Sequence, residues 1–227
     1  MAAFARAVDL GYRYVETDVH ATDDGVLLAT HDPTLDRMTD STGRIRDLTN
    51  AQVQEACIGG SQRIPQLVDV LHTWPDLKVN IDIKDSRAVR PLVAAIRATK
   101  AIDRVCVASF SQIRLDAVRR ELGPTLCTSL TTRGVLRLRL AATHPRAYAL
   151  APRGVPCAQV PDRLGPLRVV TAGLVAAAHA RGQQVHVWTV DRPADMHRLL
   201  DLGVDGLMSD DLMVLRDVLR ARNAWRA

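Results

Sequence analysis

Segments that favour β strands alternate with segments that favour helices along almost the whole chain. Short apolar runs bounded by turn residues, such as "KVNIDIKD", are each followed by a helical pattern, such as "SRAVRPLVAAIRATK". Strands that alternate with helices imply right-handed crossovers and a parallel sheet. The sequence predicts seven strand–helix units, with strands near residues 14, 78, 104, 125, 147, 184 and 205.

The fold class that this pattern predicts is α/β, as a (β/α)8 barrel of the TIM type. Residues 1–227 contain no linker and no low-complexity tract, so we expect one domain, a usual size for such a barrel. Seven strands are one fewer than the barrel requires. The chain also begins within a predicted helix, with Met1 where a capping side chain is expected. We therefore expect the barrel to lack its first strand, because an upstream segment is missing.

Composition excludes several other classes of protein. No apolar run approaches the roughly 20 residues of a membrane span, so no stable membrane insertion is expected. Arg6 and Asp9 interrupt the start, which favours a cytoplasmic location unless a missing N-terminus carries an export signal. The net charge is +5, but the basic residues are scattered and aromatic residues make up 4% of the chain. That pattern argues against nucleic-acid binding and allows a mild attraction for anionic substrates. The four cysteines have no C-x-x-C spacing, and we expect buried free thiols.

The stretch "YRYVETDVHATDDGVLLATHD" places several polar side chains on one face of a short strand. Glu16 and Asp18 are two residues apart, so they point the same way and lie about 6.6–7 Å apart. An amphipathic strand with its polar face in water would show the same pattern. Both faces of a parallel α/β sheet are usually covered, however, so the two carboxylates would be desolvated and would repel each other. A bound Mg²⁺ or Ca²⁺ removes both problems.

The strand "KVNIDIKD" repeats this arrangement. Asp82 supplies a third carboxylate and Lys84 a positive charge, although such a pair at a strand end is often only a salt bridge. His31 is a candidate proton donor because its unperturbed pKa lies near neutrality, while a lone histidine is often structural. Three carboxylates, a lysine and a histidine at neighbouring strand ends together favour a catalytic site.

Three blocks of sequence resemble the glycerophosphodiester phosphodiesterase family: "AFARAVDLGYRYVETDVHATDDGVLLATHDPTLDRMTDSTGRIRDLT", "NIDIK" and "VHVWTVDRPADMHRLLDLGVDGLMSDD". The resemblance covers essentially the whole chain and implies a (β/α)8 barrel with a divalent-metal site at the carboxyl ends of the strands. It implies a hydrolase that cleaves a small-molecule phosphodiester to glycerol phosphate and an alcohol. The residues it assigns are Glu16, Asp18 and Asp82 as metal ligands, His31 and Lys84 as catalytic residues, and Trp188 as a substrate-binding residue.

The chain departs from the family in two places. Asp82 stands where the family usually has Glu, so its carboxylate reaches about one methylene less far. The family's opening His-Arg-Gly strand, which supplies a second catalytic histidine and a phosphate-binding arginine, has no counterpart. From this we expect weak or no activity of the chain as it stands, and competence in an extended form. The alternatives are a barrel that only binds metal or phosphate, and a related phospholipase that acts on intact lipid.

Overall fold

The structure is a computed structural model that describes residues 1–143 and 153–225. The chain forms two compact units, Met1–Cys127 and Thr128–Ala227.

The first unit is built on a sheet of order β2-β1-β3-β4, with β5 next to β4 at the unit boundary. Its strands are β1 (Tyr14–Ala21), β2 (Leu27–Ala29), β3 (Lys78–Ile83), β4 (Val105–Ala108) and β5 (Cys127–Thr128). Its helices are α1 (Ala2–Asp9), α2 (Asn50–Val53), α3 (Leu67–Thr73), α4 (Val89–Ala98) and α5 (Gln112–Leu122). Single 3-10 turns lie at Ile45–Asp47, Ser86–Ala88 and Ile102–Arg104. Strands β1, β3 and β4 are parallel, whereas β2 folds back antiparallel to β1.

The core of this unit sets the register of β1 against β3. Val19, Ile81 and Ile83 are fully buried among the side chains of α3, α4 and α5. A slip of one residue would expose these side chains, so the apolar pattern specifies the pairing. In that register Asp18 lies directly opposite Asp82. The core therefore fixes the polar face of both strands.

The long connection after β2 has a small core of its own, made by Leu28, Leu35, Ile45, Val53, Ala56 and Ile64. Helix α2 within it begins with a capping box, in which Thr49 and Gln52 satisfy each other's backbone amides. The connection that carries His31 is thus packed rather than loose.

The second unit contains a parallel sheet of order β10-β9-β6 and a separate antiparallel pair, β7-β8. Its strands are β6 (Cys157–Pro161), β7 (Arg163–Leu164), β8 (Leu167–Arg168), β9 (Gln184–Trp188) and β10 (Gly206–Leu207). Its helices are α6 (Thr132–Ala141), α7 (Ala172–His179), α8 (Pro193–Asp201) and α9 (Leu212–Ala221). Val160, Val185 and Val187 are buried completely in the sheet.

The predicted strands near residues 14, 78, 104, 184 and 205 are confirmed, and the one near 125 is only two residues long. The predicted strand near 147 lies outside the described residues. Strand β6 and the pair β7-β8 are not predicted, because the stretch "CAQVPDRLGPLR" carries two prolines and no clear alternation. Cys157 is buried, whereas the other three cysteines are half-buried, contrary to the expectation of four buried thiols.

Within residues 1–143 and 153–225, no helix combines the length and the apolar character that crossing a bilayer would need.

Candidate active site

Asp18, Asp82 and Lys84 form a compact cluster at the carboxyl ends of β1 and β3. The two aspartates face each other across the parallel pair. The Nζ atom of Lys84 lies 2.8 Å from Asp18 Oδ1 and 2.7 Å from Asp82 Oδ2. One ammonium group therefore bridges two carboxylates that would otherwise repel each other.

Burial controls the electrostatics of this cluster. Asp18 is 9% exposed, and this burial raises the pKa of its carboxyl above the usual value, although the hydrogen bond from Lys84 opposes the rise. Burial on its own lowers the pKa of Lys84, but the hydrogen bonds to Asp18 and Asp82 outweigh it, so the pKa of the ammonium group is raised. Lys84 thus stays protonated, and more positive charge in the cluster would favour the ionised form of Asp18.

The cluster also contains an oxygen without a partner. Asp82 Oδ1 is buried and accepts no hydrogen bond from any of the residues that the structure describes. A buried carboxylate oxygen left in this way is costly, because it has lost its hydration without replacement. Hard divalent cations bind carboxylate oxygens, so the donor set of Asp18 and Asp82 fits Mg²⁺ or Ca²⁺.

Glu16 stands one pleat before Asp18 on the same face of β1, opposite Asn80 of β3. Unlike Asp18, it is exposed to solvent. A third carboxylate therefore lies one register step from the Asp18–Asp82 pair on the same face of the strands. Glu16 and Asp18 share one face of β1, as the alternation of side chains predicts, and Asp82 lies opposite Asp18.

His31 lies two residues beyond β2 and belongs to a second cluster. Its Nδ1 atom is 2.8 Å from Asp32 Oδ1, and its side chain is 72% exposed. Arg37 donates to the same carboxylate through Nε at 2.6 Å and Nη2 at 2.9 Å. These bonds, first from Arg37 and then from His31, lower the pKa of Asp32 to about 2. Asp32 is therefore ionised at any physiological pH and orients the imidazole through its contact with Nδ1.

The two clusters interact. The charge of His31 favours the ionised form of the Asp18 carboxyl. A further link runs through His20, whose Nε2 lies 3.1 Å from the carbonyl oxygen of His31. His20 is 8% exposed, and burial lowers its pKa. His20 is absent from the site residues that the sequence predicts, although its alternation with Asp18 on β1 is a signal that could have identified it.

Phe110 is another residue that the sequence analysis does not select. It follows β4, at the same edge of the sheet as Lys84, and is 59% exposed. Lys84 Nζ lies 5.4 Å from the centre of its ring, within the range of a cation–π contact. The bend that carries Phe110 is fixed by Ser109, whose hydroxyl donates to the carbonyl of Ile83 at 2.9 Å. An exposed aromatic ring therefore stands next to the cationic group.

Trp188 is the last residue of β9 in the second unit, paired with Pro161 of β6. It is half-buried. The turn after it is held by Asp191, which accepts hydrogen bonds from the Ser209 hydroxyl at 2.8 Å and from the Asp210 amide at 2.9 Å. The carboxyl edge of this sheet thus presents an indole on a braced turn.

Comparison with known proteins gives a consistent result. Residues 1–214 match the profile of the "Glycerophosphoryl diester phosphodiesterase family". The chain is 43% identical to "Probable glycerophosphodiester phosphodiesterase 2" of Mycobacterium tuberculosis, over 99% of this chain and 86% of the relative. It is 32% identical to the glycerophosphodiester phosphodiesterase of Caldanaerobacter subterraneus subsp. tengcongensis, over 97% of this chain and 91% of the relative.

Among solved structures, an Oleispira antarctica phosphodiesterase in complex with the product sn-glycerol-3-phosphate superposes with a TM-score of 0.80. The superposition covers 96% of this chain and 90% of that one, at 18% identity, and therefore speaks for the fold alone. The predicted fold class, an α/β barrel of the TIM type, is confirmed by this likeness together with the family match.

Proposed function

The chain belongs to the glycerophosphoryl diester phosphodiesterase family, and on that premise we propose that it hydrolyses a glycerophosphodiester with the help of a divalent cation. It is an enzyme of the phosphoric diester hydrolase class. The products would be glycerol phosphate and an alcohol, in keeping with the product-bound phosphodiesterase of the same fold. The observation that carries the proposal is the Asp18–Lys84–Asp82 cluster with its buried, unpartnered oxygen.

Glu16, Asp18 and Asp82 would hold the cation, either Mg²⁺ or Ca²⁺. When bound, such an ion neutralises the non-bridging oxygens of a phosphodiester and lowers the pKa of a coordinated hydroxyl. Asp82 Oδ1 is the atom that a bound cation would stabilise most, because it is buried and accepts no hydrogen bond from the described residues. The raised pKa of Asp18 would fall towards normal beside a cation.

Lys84 would bind the phosphate as a fixed positive charge. Its side chain is 25% exposed, and its ammonium group bonds to both aspartates. Its raised pKa keeps it protonated across the physiological range. A group that is already charged and oriented stabilises developing phosphoryl charge with little reorganisation, which is the basis of electrostatic catalysis.

His31 would protonate the departing alkoxide. Asp32 holds the Nδ1 side of the ring, so the exposed Nε2 side points away from that carboxylate. Arg37 in turn holds both oxygens of Asp32. General acid catalysis typically contributes about 10²–10⁴-fold, and most of all when the leaving alcohol is weakly acidic. Trp188 would offer an aromatic surface to the substrate.

A test of this assignment compares two glycerophosphate diesters that differ only in the leaving group. Glycerophosphocholine releases a weakly acidic alcohol, whereas the p-nitrophenyl ester releases a phenol that needs little protonation. His31→Ala should lower turnover of the choline ester by about 10²–10⁴-fold and that of the p-nitrophenyl ester far less. Turnover that falls equally for both esters would remove His31 from the role of acid. His72→Ala, at an exposed histidine of α3, is the matched control and should change neither rate.

One observation favours a second candidate substrate, an intact lysophospholipid. The exposed ring of Phe110 lies beside Lys84. An apolar group attached to a phosphate bound at Lys84 would therefore contact this ring. On this hypothesis Phe110→Ser lowers kcat/KM for lysophosphatidylcholine several-fold and leaves kcat/KM for glycerophosphocholine unchanged. An equal loss on both substrates, or none, would exclude the lipid.

A further inference from the structure

Strands β7 and β8 form a short hairpin that follows β6 at the carboxyl edge of the sheet in the second unit. Leu164 pairs with Leu167, and Arg163 pairs with Arg168. The two residues between the strands are Gly165 and Pro166, with Gly165 at φ +58°. A glycine with positive φ at the first position of a two-residue turn is typical of a tight, rigid β-hairpin turn. The tip therefore holds its four flanking side chains in a defined arrangement.

The pairing sorts these side chains by chemistry. Residues directly opposite each other in a hairpin point to the same face, and neighbours along a strand point to opposite faces. Leu164 and Leu167 thus share one face, and they are 69% and 57% exposed. Arg163 and Arg168 share the other face and are also exposed. The hairpin is amphipathic, with one apolar and one cationic face, both open to solvent.

The base of the hairpin is firmly held. The amides of Val169 and Val170 donate to the carbonyl of Asp162 at 2.9 Å and 3.3 Å. The carboxylate of Asp162 accepts from Arg198 of α8 at 2.6 Å. Pro161, the last residue of β6, is paired with Trp188 of β9. The hairpin therefore projects from a fixed point on the edge of the sheet that carries Trp188.

We propose that this hairpin docks the enzyme on an anionic lipid surface, with the two leucines in the interfacial region and the two arginines at the headgroups. Like charges placed directly opposite each other destabilise a hairpin, and Arg163 and Arg168 form such a pair. The nearest carboxylate oxygen of Asp162 is 3.9 Å from Arg163 and is already bonded to Arg198. Anionic phospholipid supplies the missing negative charge and an apolar layer at once.

The net charge of +5 adds a long-range attraction to the same surface. The docking is peripheral, because two leucines reach only the headgroup boundary and span nothing. It goes beyond the proposed hydrolysis, since it concerns where the enzyme works rather than which bond it breaks. A second exposed leucine pair, Leu136 and Leu140 of α6, lies instead on a helix that packs against α7.

The test is sedimentation of the full chain with two kinds of vesicle. One is pure phosphatidylcholine, and the other contains about 30% phosphatidylglycerol. We expect binding to the anionic vesicles only, weakened by raising salt from about 0.1 to about 0.5 M. Leu164→Ser with Leu167→Ser should lower the partition coefficient about tenfold or more. Arg163→Gln with Arg168→Gln should lower it by a similar factor. The control, Leu136→Ser with Leu140→Ser, should bind as the wild type does.

Three outcomes would overturn the proposal. One is an absence of binding to anionic vesicles by the unaltered chain, and another is an equal loss in the α6 control. The third is a concentration-dependent dimer that the hairpin leucine variant abolishes, which would assign the surface to a second copy of the chain. Hydrolysis of soluble glycerophosphocholine is measured on every variant. Because it should not change, it confirms folding and separates failure of docking from failure of the proposed activity.

Discussion

Asp18 and Asp82 lie directly opposite each other in adjacent parallel strands, and a single ammonium group, that of Lys84, reaches both. Two like charges so close together are stable only with a cation between or beside them. The protein supplies one such charge from its own chain, and the unpartnered Oδ1 of Asp82 remains available for another. If the proposed cation binds here, its binding and the stability of the fold are coupled at this pair of residues.

Removal of the bridging ammonium should destabilise the protein when no divalent ion is present. Lys84→Met leaves two largely buried carboxylates without a counter-charge, and we expect a loss of about 1–3 kcal/mol in the free energy of unfolding. Added Mg²⁺ or Ca²⁺ should recover most of this loss, because an ion that binds the native state stabilises it. Thermal unfolding with EDTA and with the ion measures both effects. Lys78→Met, on the same strand but exposed, should show neither.

Loss of the Asp82 carboxylate should weaken cation binding. Asp82→Asn keeps the shape of the side chain but removes its charge, so the dissociation constant for Mg²⁺ or Ca²⁺ should rise on the order of tenfold or more. Calorimetric titration of the ion gives this value without reference to catalysis. Asp69→Asn, at an exposed aspartate of α3, serves as the control. Unchanged affinity in Asp82→Asn would remove Asp82 from the ligand set.

The ion pair of Asp32 and Arg37 should make the free energy of unfolding depend on pH. The folded pKa of Asp32 is about 2, below its unfolded value, so its contribution to stability is fully present above about pH 4. That contribution is lost as pH falls towards 2. Arg37→Gln removes the largest cause of the lowered pKa. The variant should thus be less stable than the wild type at neutral pH and equal to it near pH 2.

Acid unfolding followed by circular dichroism between pH 7 and pH 2 checks this convergence. Arg44→Gln, in the same connection and also exposed, should run parallel to the wild type throughout. A stability gap for Arg37→Gln that persists unchanged at pH 2 would mean that Arg37 acts through packing and not through Asp32.

His20 should act as a positioning residue through its contact with the carbonyl of His31. His20→Ala should lower kcat for glycerophosphocholine about tenfold with little change in KM, because the acid is displaced while the phosphate contacts remain. The p-nitrophenyl ester should be nearly unaffected. His20→Gln, whose amide also donates a hydrogen bond, should recover part of the loss. Equal losses in Ala and Gln variants would indicate a purely structural role.

The alternation of side chains along the two strands predicts much of this site. It places Glu16 and Asp18 on one face of the first strand, and Asp82 and Lys84 on one face of the second. It does not predict that Lys84 bridges both aspartates, since that depends on the register of β1 and β3. The buried role of His20 is missed for a similar reason. Its partner is the backbone carbonyl of His31, and a backbone contact cannot be predicted from the type of residue.

The hairpin of β7 and β8 is missed for a different reason. Its two strands are each two residues long, and the turn between them contains a proline. Periodicity needs more residues than that to show itself. The order Arg163, Leu164, Gly165, Pro166, Leu167, Arg168 shows no regular alternation. Only the observed pairing shows which side chains share a face.

Glu16, Asp18, His31, Asp32 and Arg37 all lie within one continuous segment of the chain that contains β1 and β2. Their mutual distances depend on the β1–β2 hairpin, on the small core after it and on the larger core of the sheet, to which Val19 and Leu27 belong. Substitutions of the core residues of α3, α4 or α5 can therefore alter that spacing. The segment is therefore not an independent unit, and transferring it to another sheet would also require the apolar side chains that pack beneath β1 and β3.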